Sequence, residues 1–98
     1  MARKNFRIAE VVEICGVDRD FVARLERESI IEPFIRSKLK YYPRDQVERV
    51  RVARLLIEEM GVNLEGAEVA LSMREQMIAM QRQFNEVLRR LARQLSER

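Results

Sequence analysis

Histidine and tryptophan are missing from these 98 residues, and cysteine occurs once, as Cys15. A metal site of the usual His/Cys kind cannot be assembled from that set, and no disulfide can form within the chain. The single thiol fits a reducing compartment, and a soluble, cytoplasmic protein is expected. General acid–base and nucleophilic chemistry lack a nucleophile beside a base, and no glycine-rich phosphate loop is present. Neither enzymatic activity nor a cofactor is therefore expected. Only three glycines and two prolines occur, which argues against a strand-rich fold with many tight turns. Met1 to Arg7 is basic but leads into no long apolar run, so a signal peptide is not expected. No run approaches the roughly 18 apolar residues that a membrane span takes.

What is present is 47% hydrophobic and 36% charged residues, the balance of amphipathic helices around a small core. The length suits one domain plus an appended helix. The net charge is +3, and all but three of the 19 basic residues are arginine, the cation suited to bidentate phosphate or carboxylate contacts. Mild basicity permits a nucleic-acid partner without requiring one.

The chain is organised around Gly61 to Leu95. Met73, Met77, Met80, Phe84, Val87 and Leu91 recur at alternating spacings of four and three, an a/d heptad seam that Leu88 and Leu95 widen. The sixty residues before it are too few to cover such a stripe, so a homodimer through a C-terminal coiled-coil helix is expected. In a seam of this kind the methionines read as dimer core, although a thioether side chain also suits an adaptable docking surface.

Ahead of that helix, Ile8, Val11, Val12 and Cys15 share one face of a short helix that Gly16 can end. Asp18 caps a second helix over about Arg19 to Glu28, burying Phe21, Val22 and Leu25. Two short helices joined by a glycine turn read as a helix-turn-helix or as an ordinary αα-hairpin. Ile30, Ile31 and Pro33 interrupt helical periodicity, and the stretch from Phe34 to Tyr42 reads as a small two-stranded wing around Arg36, Ser37 and Lys38. Four basic residues and no acidic one fall between Ile35 and Arg44, which suits either phosphate contact or a charge-protected edge. Pro43 opens a third helix with Val47, Val50, Ala53, Ile57 and Met60 along one side and an Arg54–Glu58 pair. Gly61 stops it, Asn63 caps the last helix, and Ser72 to Arg74 is the expected place for any bend.

The segments GVDRDFVARLERESIIEP and KYYPRDQVERVRVARLLIEEMGVNLEGAEVAL resemble the MerR superfamily. The resemblance implies a mainly α fold: a MerR-like winged helix-turn-helix domain over residues 1–72 and a coiled-coil dimerisation helix over 73–98. The chain also departs from the family pattern. Ala23, Arg24 and Leu25 stand where an Arg–Tyr pair is common, Ser29 replaces a turn glycine, and Lys38, Leu39 and Lys40 replace a Gly-Tyr-Arg wing.

GVNLEGAEVALSMREQMIAMQRQFNEVLRRL is most similar to the CbpM-type chaperone modulators, which bind and restrain a DnaJ-like (CbpA-type) co-chaperone. That resemblance implies a non-enzymatic regulator, and Glu58, Glu59, Glu65 and Glu68 are the candidate acidic contacts to a basic J-domain face. The alternative is an HspR-like DNA-binding repressor of stress or chaperone genes. It would use Arg19, Arg24, Arg27, Arg36, Lys38 and Lys40 on duplex DNA. Asp18, Asp20, Glu26 and Glu28 on the same helix oppose phosphate contact.

Overall fold

Residues 4–97 are described by a computed structural model. The order is β1 (Asn5–Phe6), α1 (Ile8–Cys15), α2 (Arg19–Arg27), β2 (Phe34–Arg36), β3 (Leu39–Pro43), α3 (Arg44–Arg54) and α4 (Leu64–Ser96). A π-helical turn, Leu55–Glu59, follows α3 directly. The boundary between two compact units falls inside α4, between Glu68 and Val69.

Each short helix has a local cause. The Glu10 carboxylate accepts the Arg7 N–H at 3.0 Å where α1 begins. Gly16, at φ 67°, ends α1 in the left-handed region, and the Val17 N–H closes back on the Val12 carbonyl. Asp18 caps α2 by accepting the Phe21 N–H at 2.8 Å. At the other end of α2, the Ile30 N–H bonds the Leu25 carbonyl and the Ser29 N–H bonds that of Glu26. This is a Schellman closure, and the Leu25 and Ile30 side chains that accompany it are fully buried. Its left-handed residue is Ser29, at φ 57°, where glycine is the usual occupant. Ser29→Gly is expected to stabilise the fold by about 0.5–1 kcal/mol, because a side chain resists that backbone conformation. A urea midpoint shifted upward at constant slope would show it; an unchanged midpoint would mean Ser29 is unstrained.

The sheet corrects the expected two-stranded wing. Beside the β2–β3 hairpin, β1 pairs antiparallel with the far side of β3, giving the order β1-β3-β2. Asn5 faces Pro43 and Phe6 faces Tyr42, while Phe34, Ile35 and Arg36 face Tyr41, Lys40 and Leu39. The hairpin turn consists of Ser37 and Lys38, both at positive φ (53° and 66°). A two-residue turn needs that conformation at both positions to match the strand twist, even without the Asn-Gly pair that favours it.

The core of the first unit gathers Val11, Cys15, Phe21, Val22, Leu25, Ile30, Ile31, Tyr42, Val47, Val50 and Ala53. The stripe expected along the third helix holds through Ala53 and then slips, so that Met60 is exposed. The π turn explains the slip, because one residue added to the helical repeat rotates later side chains by about 100°. Gly61, at φ 70°, follows, and the Val62 N–H returns to the Leu56 carbonyl. Asn63 then caps α4, its Oδ1 accepting the Gly66 N–H at 2.7 Å. A Cβ at Gly66 would meet Val62 Cγ1 at 2.8 Å, so the cap itself requires the small residue. From there α4 is a single helix, Leu64–Ser96, and residues Ser72 to Arg74, the expected place for any bend, lie within it.

Candidate functional site

The second helix of the helix-turn-helix, α2, presents one face to solvent. Burying Phe21, Val22 and Leu25 turns Arg19, Asp20, Arg24 and Arg27 outward, with Ala23 and Glu26 half-buried. The structure divides the three arginines. Arg24 and Arg27 line a cleft of about 310 Å³ together with Asp18, Asp20, Phe21 and Glu58, and the Arg24 guanidinium lies 5.8 Å from the Phe21 ring centre. Arg19 lines a separate cleft of about 260 Å³ with Arg7, Ile8, Ala23, Glu26, Lys40 and Tyr42. Cations and carboxylates therefore alternate along the helix.

Glu26 ties α2 to the sheet. The Tyr42 hydroxyl donates to one of its oxygens, and Lys40 Nζ lies 3.0 Å from the other. Tyr42 is a buried residue, and burial first, then the bond to Glu26, raises its hydroxyl pKa. Lys40 thus sits beside a carboxylate of the same chain, whereas Arg36 and Lys38 make no ion pair among the described residues. Across the hairpin, the Phe34 and Tyr41 rings stack at 5.7 Å. Arg36 covers Phe34 at 5.2 Å and Arg7 covers Tyr41 at 5.5 Å. Both are cation–π contacts, in which a guanidinium is attracted to the ring face.

Of the four candidate acidic contacts, Glu58 and Glu59 flank Arg54, at 3.2 and 3.9 Å. Glu65 and Glu68 are exposed near the start of α4 and make no ion pair among the described residues.

Cys15, the lone thiol, is buried, and its Sγ lies 3.6 Å from the Val47 carbonyl oxygen. Burial raises its pKa, which leaves it a poor nucleophile.

In the second unit α4 shows its seam openly. Met73, Met77, Met80, Phe84, Val87, Leu88, Leu91 and Leu95 are all exposed, Phe84 at 62%. Val69, which the heptad reading passed over, is exposed one step before them. At about 100° per residue these side chains share one flank of the helix over roughly 39 Å, with Leu71 and Ile78 on the opposite flank. Leu71 is fully buried and Ile78 half-buried, so α4 carries apolar residues on two sides. Glu86, paired with Arg89 at 2.9 Å and Arg90 at 3.4 Å, has its pKa lowered by those arginines.

Arg7 and the Tyr42–Glu26 bond escaped the sequence reading. The one available signal was a tyrosine two residues after a lysine on a strand. The chain distance to Glu26 hid the rest.

Among the described residues, no helix is long and apolar enough to cross a membrane. No group of three or more His, Cys, Asp or Glu is placed among them to hold a metal ion. No curated protein and no solved structure matches the chain significantly. A family model described as MerR HTH family regulatory protein does match, over residues 6–90, which takes in the helix-turn-helix, the sheet and most of α4. The chain belongs to the MerR helix-turn-helix family of regulatory proteins.

Proposed function

We propose that this protein is a CbpM-like modulator, a non-enzymatic cytoplasmic homodimer that binds and inhibits a DnaJ-like co-chaperone. The observation that carries this reading is the charge pattern of the helix-turn-helix surface. Arg19, Arg24 and Arg27 alternate with Asp20, Glu26 and Glu28, and Lys40 of the wing already lies against Glu26. A helix that reads DNA needs a cationic excess where phosphates approach, and carboxylates interleaved at that spacing repel them. A folded protein partner that offers charges of both signs suits the mixed surface better.

The resemblance of the Gly61 to Leu91 stretch to the chaperone modulators supplies the class of partner. Glu65 and Glu68 offer carboxylates to a basic J-domain, with Glu58 and Glu59 softened by Arg54. Residues 1–72 serve as the partner-binding head and 73–98 as the dimerisation helix, with the row from Met73 to Leu95 facing a second copy.

The DNA-binding alternative draws on Arg36 and Lys38 at the wing tip, which make no ion pair among the described residues. Each phosphate that they neutralised would steepen the salt dependence of binding by roughly 0.9 log unit.

The test is functional. Added in excess, the protein is expected to suppress the stimulation of Hsp70-type ATP hydrolysis by a DnaJ-like protein from the same cell. Unaltered stimulation at saturating concentration would remove the proposal.

A further inference from the structure

The exposed row of α4 is chemically uneven. Its first three heptad positions, Met73, Met77 and Met80, carry thioethers, while Phe84, Val87 and Leu91 further along are pure hydrocarbon. Three of the chain's five methionines thus fall on one flank within about two helical turns. On the single chain they are exposed at 58%, 68% and 67%. Met60, outside the row, is exposed to the same degree, at 65%. The lone thiol offers no competing route to oxidation, because Cys15 is buried. Leucine would pack in a seam as well as methionine does, since the two have similar volume. What methionine adds is a sulfur whose lone pairs react with oxidants.

We propose that Met73, Met77 and Met80 form a reversible oxidation site that controls the pairing of α4 with a second copy of the chain. The proposal rests on the homodimer of the proposed function and names its regulation. The oxidant is a peroxide. A sulfur lone pair attacks one peroxide oxygen, an S–O bond forms and the O–O bond breaks. The departing oxygen takes up the proton of the attacked one and leaves as water or an alcohol. Sulfur loses two electrons and the peroxide gains them. The resulting sulfoxide is polar, and inside a paired seam its oxygen loses water without gaining a donor. With two copies, six such groups enter one seam. Pairing covers the methionines, so attack falls on the separated protomer, and the sulfoxides then hinder its return. Oxidation therefore acts on the fraction of free protomers, which mass action sets. Thiol-dependent reductases return each sulfoxide epimer to the thioether, and Phe84, Val87 and Leu91 stay intact for the seam to re-form.

The experiment treats the full chain with hydrogen peroxide, maps sulfoxides by peptide mass spectrometry and reads self-association by sedimentation velocity. Below the dimer dissociation constant, Met73, Met77 and Met80 are expected to oxidise as fast as Met60. Well above it they are expected to oxidise several-fold more slowly than Met60. The oxidised protein is expected to self-associate at least about tenfold more weakly, because polar groups then sit unmatched in a covered seam. Methionine sulfoxide reductases with a dithiol should restore it, each sulfoxide oxygen leaving as water while the dithiol becomes a disulfide. Met73→Leu, Met77→Leu and Met80→Leu combined should stay dimeric under the same treatment, and Met60→Leu should respond as wild type does. Sulfoxide at all three positions with unchanged self-association would overturn the proposal. An equal loss of self-association in the triple leucine variant would overturn it too. Untreated protein that is monomeric at every concentration refutes the homodimer reading itself, and the proposal with it.

Discussion

Phe84→Asp is expected to convert the protein from dimer to monomer, weakening self-association at least about a hundredfold. Phe84 lies in the middle of the exposed row on α4, between Met80 and Val87, so a seam formed there must cover it. An ionised carboxylate in that position loses its water without gaining a partner, a cost of several kcal/mol. In a two-fold interface the charge enters twice. A helix that loses the packing of its apolar face also loses the main source of its stability, so the monomer should lose helical ellipticity. Phe84→Leu, which keeps an apolar group of similar reach, should remain dimeric. Sedimentation velocity at micromolar concentration separates the outcomes. A Phe84→Asp variant that still sediments as a dimer would place the interface elsewhere.

Tyr42→Phe is expected to cost about 1.5–3 kcal/mol of stability, the range for a hydrogen bond to a charged group. Among the described residues the buried Tyr42 hydroxyl and Lys40 are the partners of Glu26, and Lys40 reaches it with a side chain 47% exposed. Removing the hydroxyl leaves a half-buried carboxylate short of a donor. Lys40→Ala should cost under about 1 kcal/mol, because water screens an exposed pair.

The same bond sets a pH dependence. The Tyr42 pKa is raised in the fold, by burial and then by Glu26, so the native state favours the protonated phenol. Its contribution is complete below the unfolded value of 10.0 and is lost as pH rises from there toward the folded pKa. Wild type should therefore lose stability above pH 10 more steeply than Tyr42→Phe. Parallel curves of melting temperature against pH for the two proteins would show that the fold does not hold the phenol protonated.

The elements that were legible in the sequence have local causes. Gly16, Asp18, Gly61 and Asn63 end or begin helices through their own backbone or side-chain chemistry, whereas Pro43, expected in the first turn of the third helix, is instead the last residue of β3 and the extended N-cap of α3. The fold class followed from them together with the resemblance to the MerR superfamily.

What was missed depends on distant partners or leaves no compositional mark. β1 is two residues long, and its strand character comes from pairing with β3 almost forty positions away. The π turn is a change of hydrogen-bond spacing inside good helix formers, so Leu55 to Glu59 read as ordinary helix and Met60 was placed on the buried side. Ser29, Ser37 and Lys38 adopt left-handed backbone without the glycine that would have announced it. The Arg7 cleft draws on α1, α2 and β3, and only the folded chain brings its cations together. Lys40 stood out as the densest part of a basic window, yet a carboxylate fourteen residues earlier faces it.

On the proposed function, this helix-turn-helix protein works on a protein rather than on DNA. The most direct test is a side-by-side affinity measurement at physiological salt, with a DnaJ-like protein from the same cell in one arm and duplex DNA from upstream of its own gene in the other. The expected result is saturable binding to the DnaJ-like protein and only weak, non-selective DNA binding that added salt removes. Sequence-selective DNA binding that is abolished by charge reversal at Arg36 and Lys38, with no affinity for the DnaJ-like protein, would contradict it.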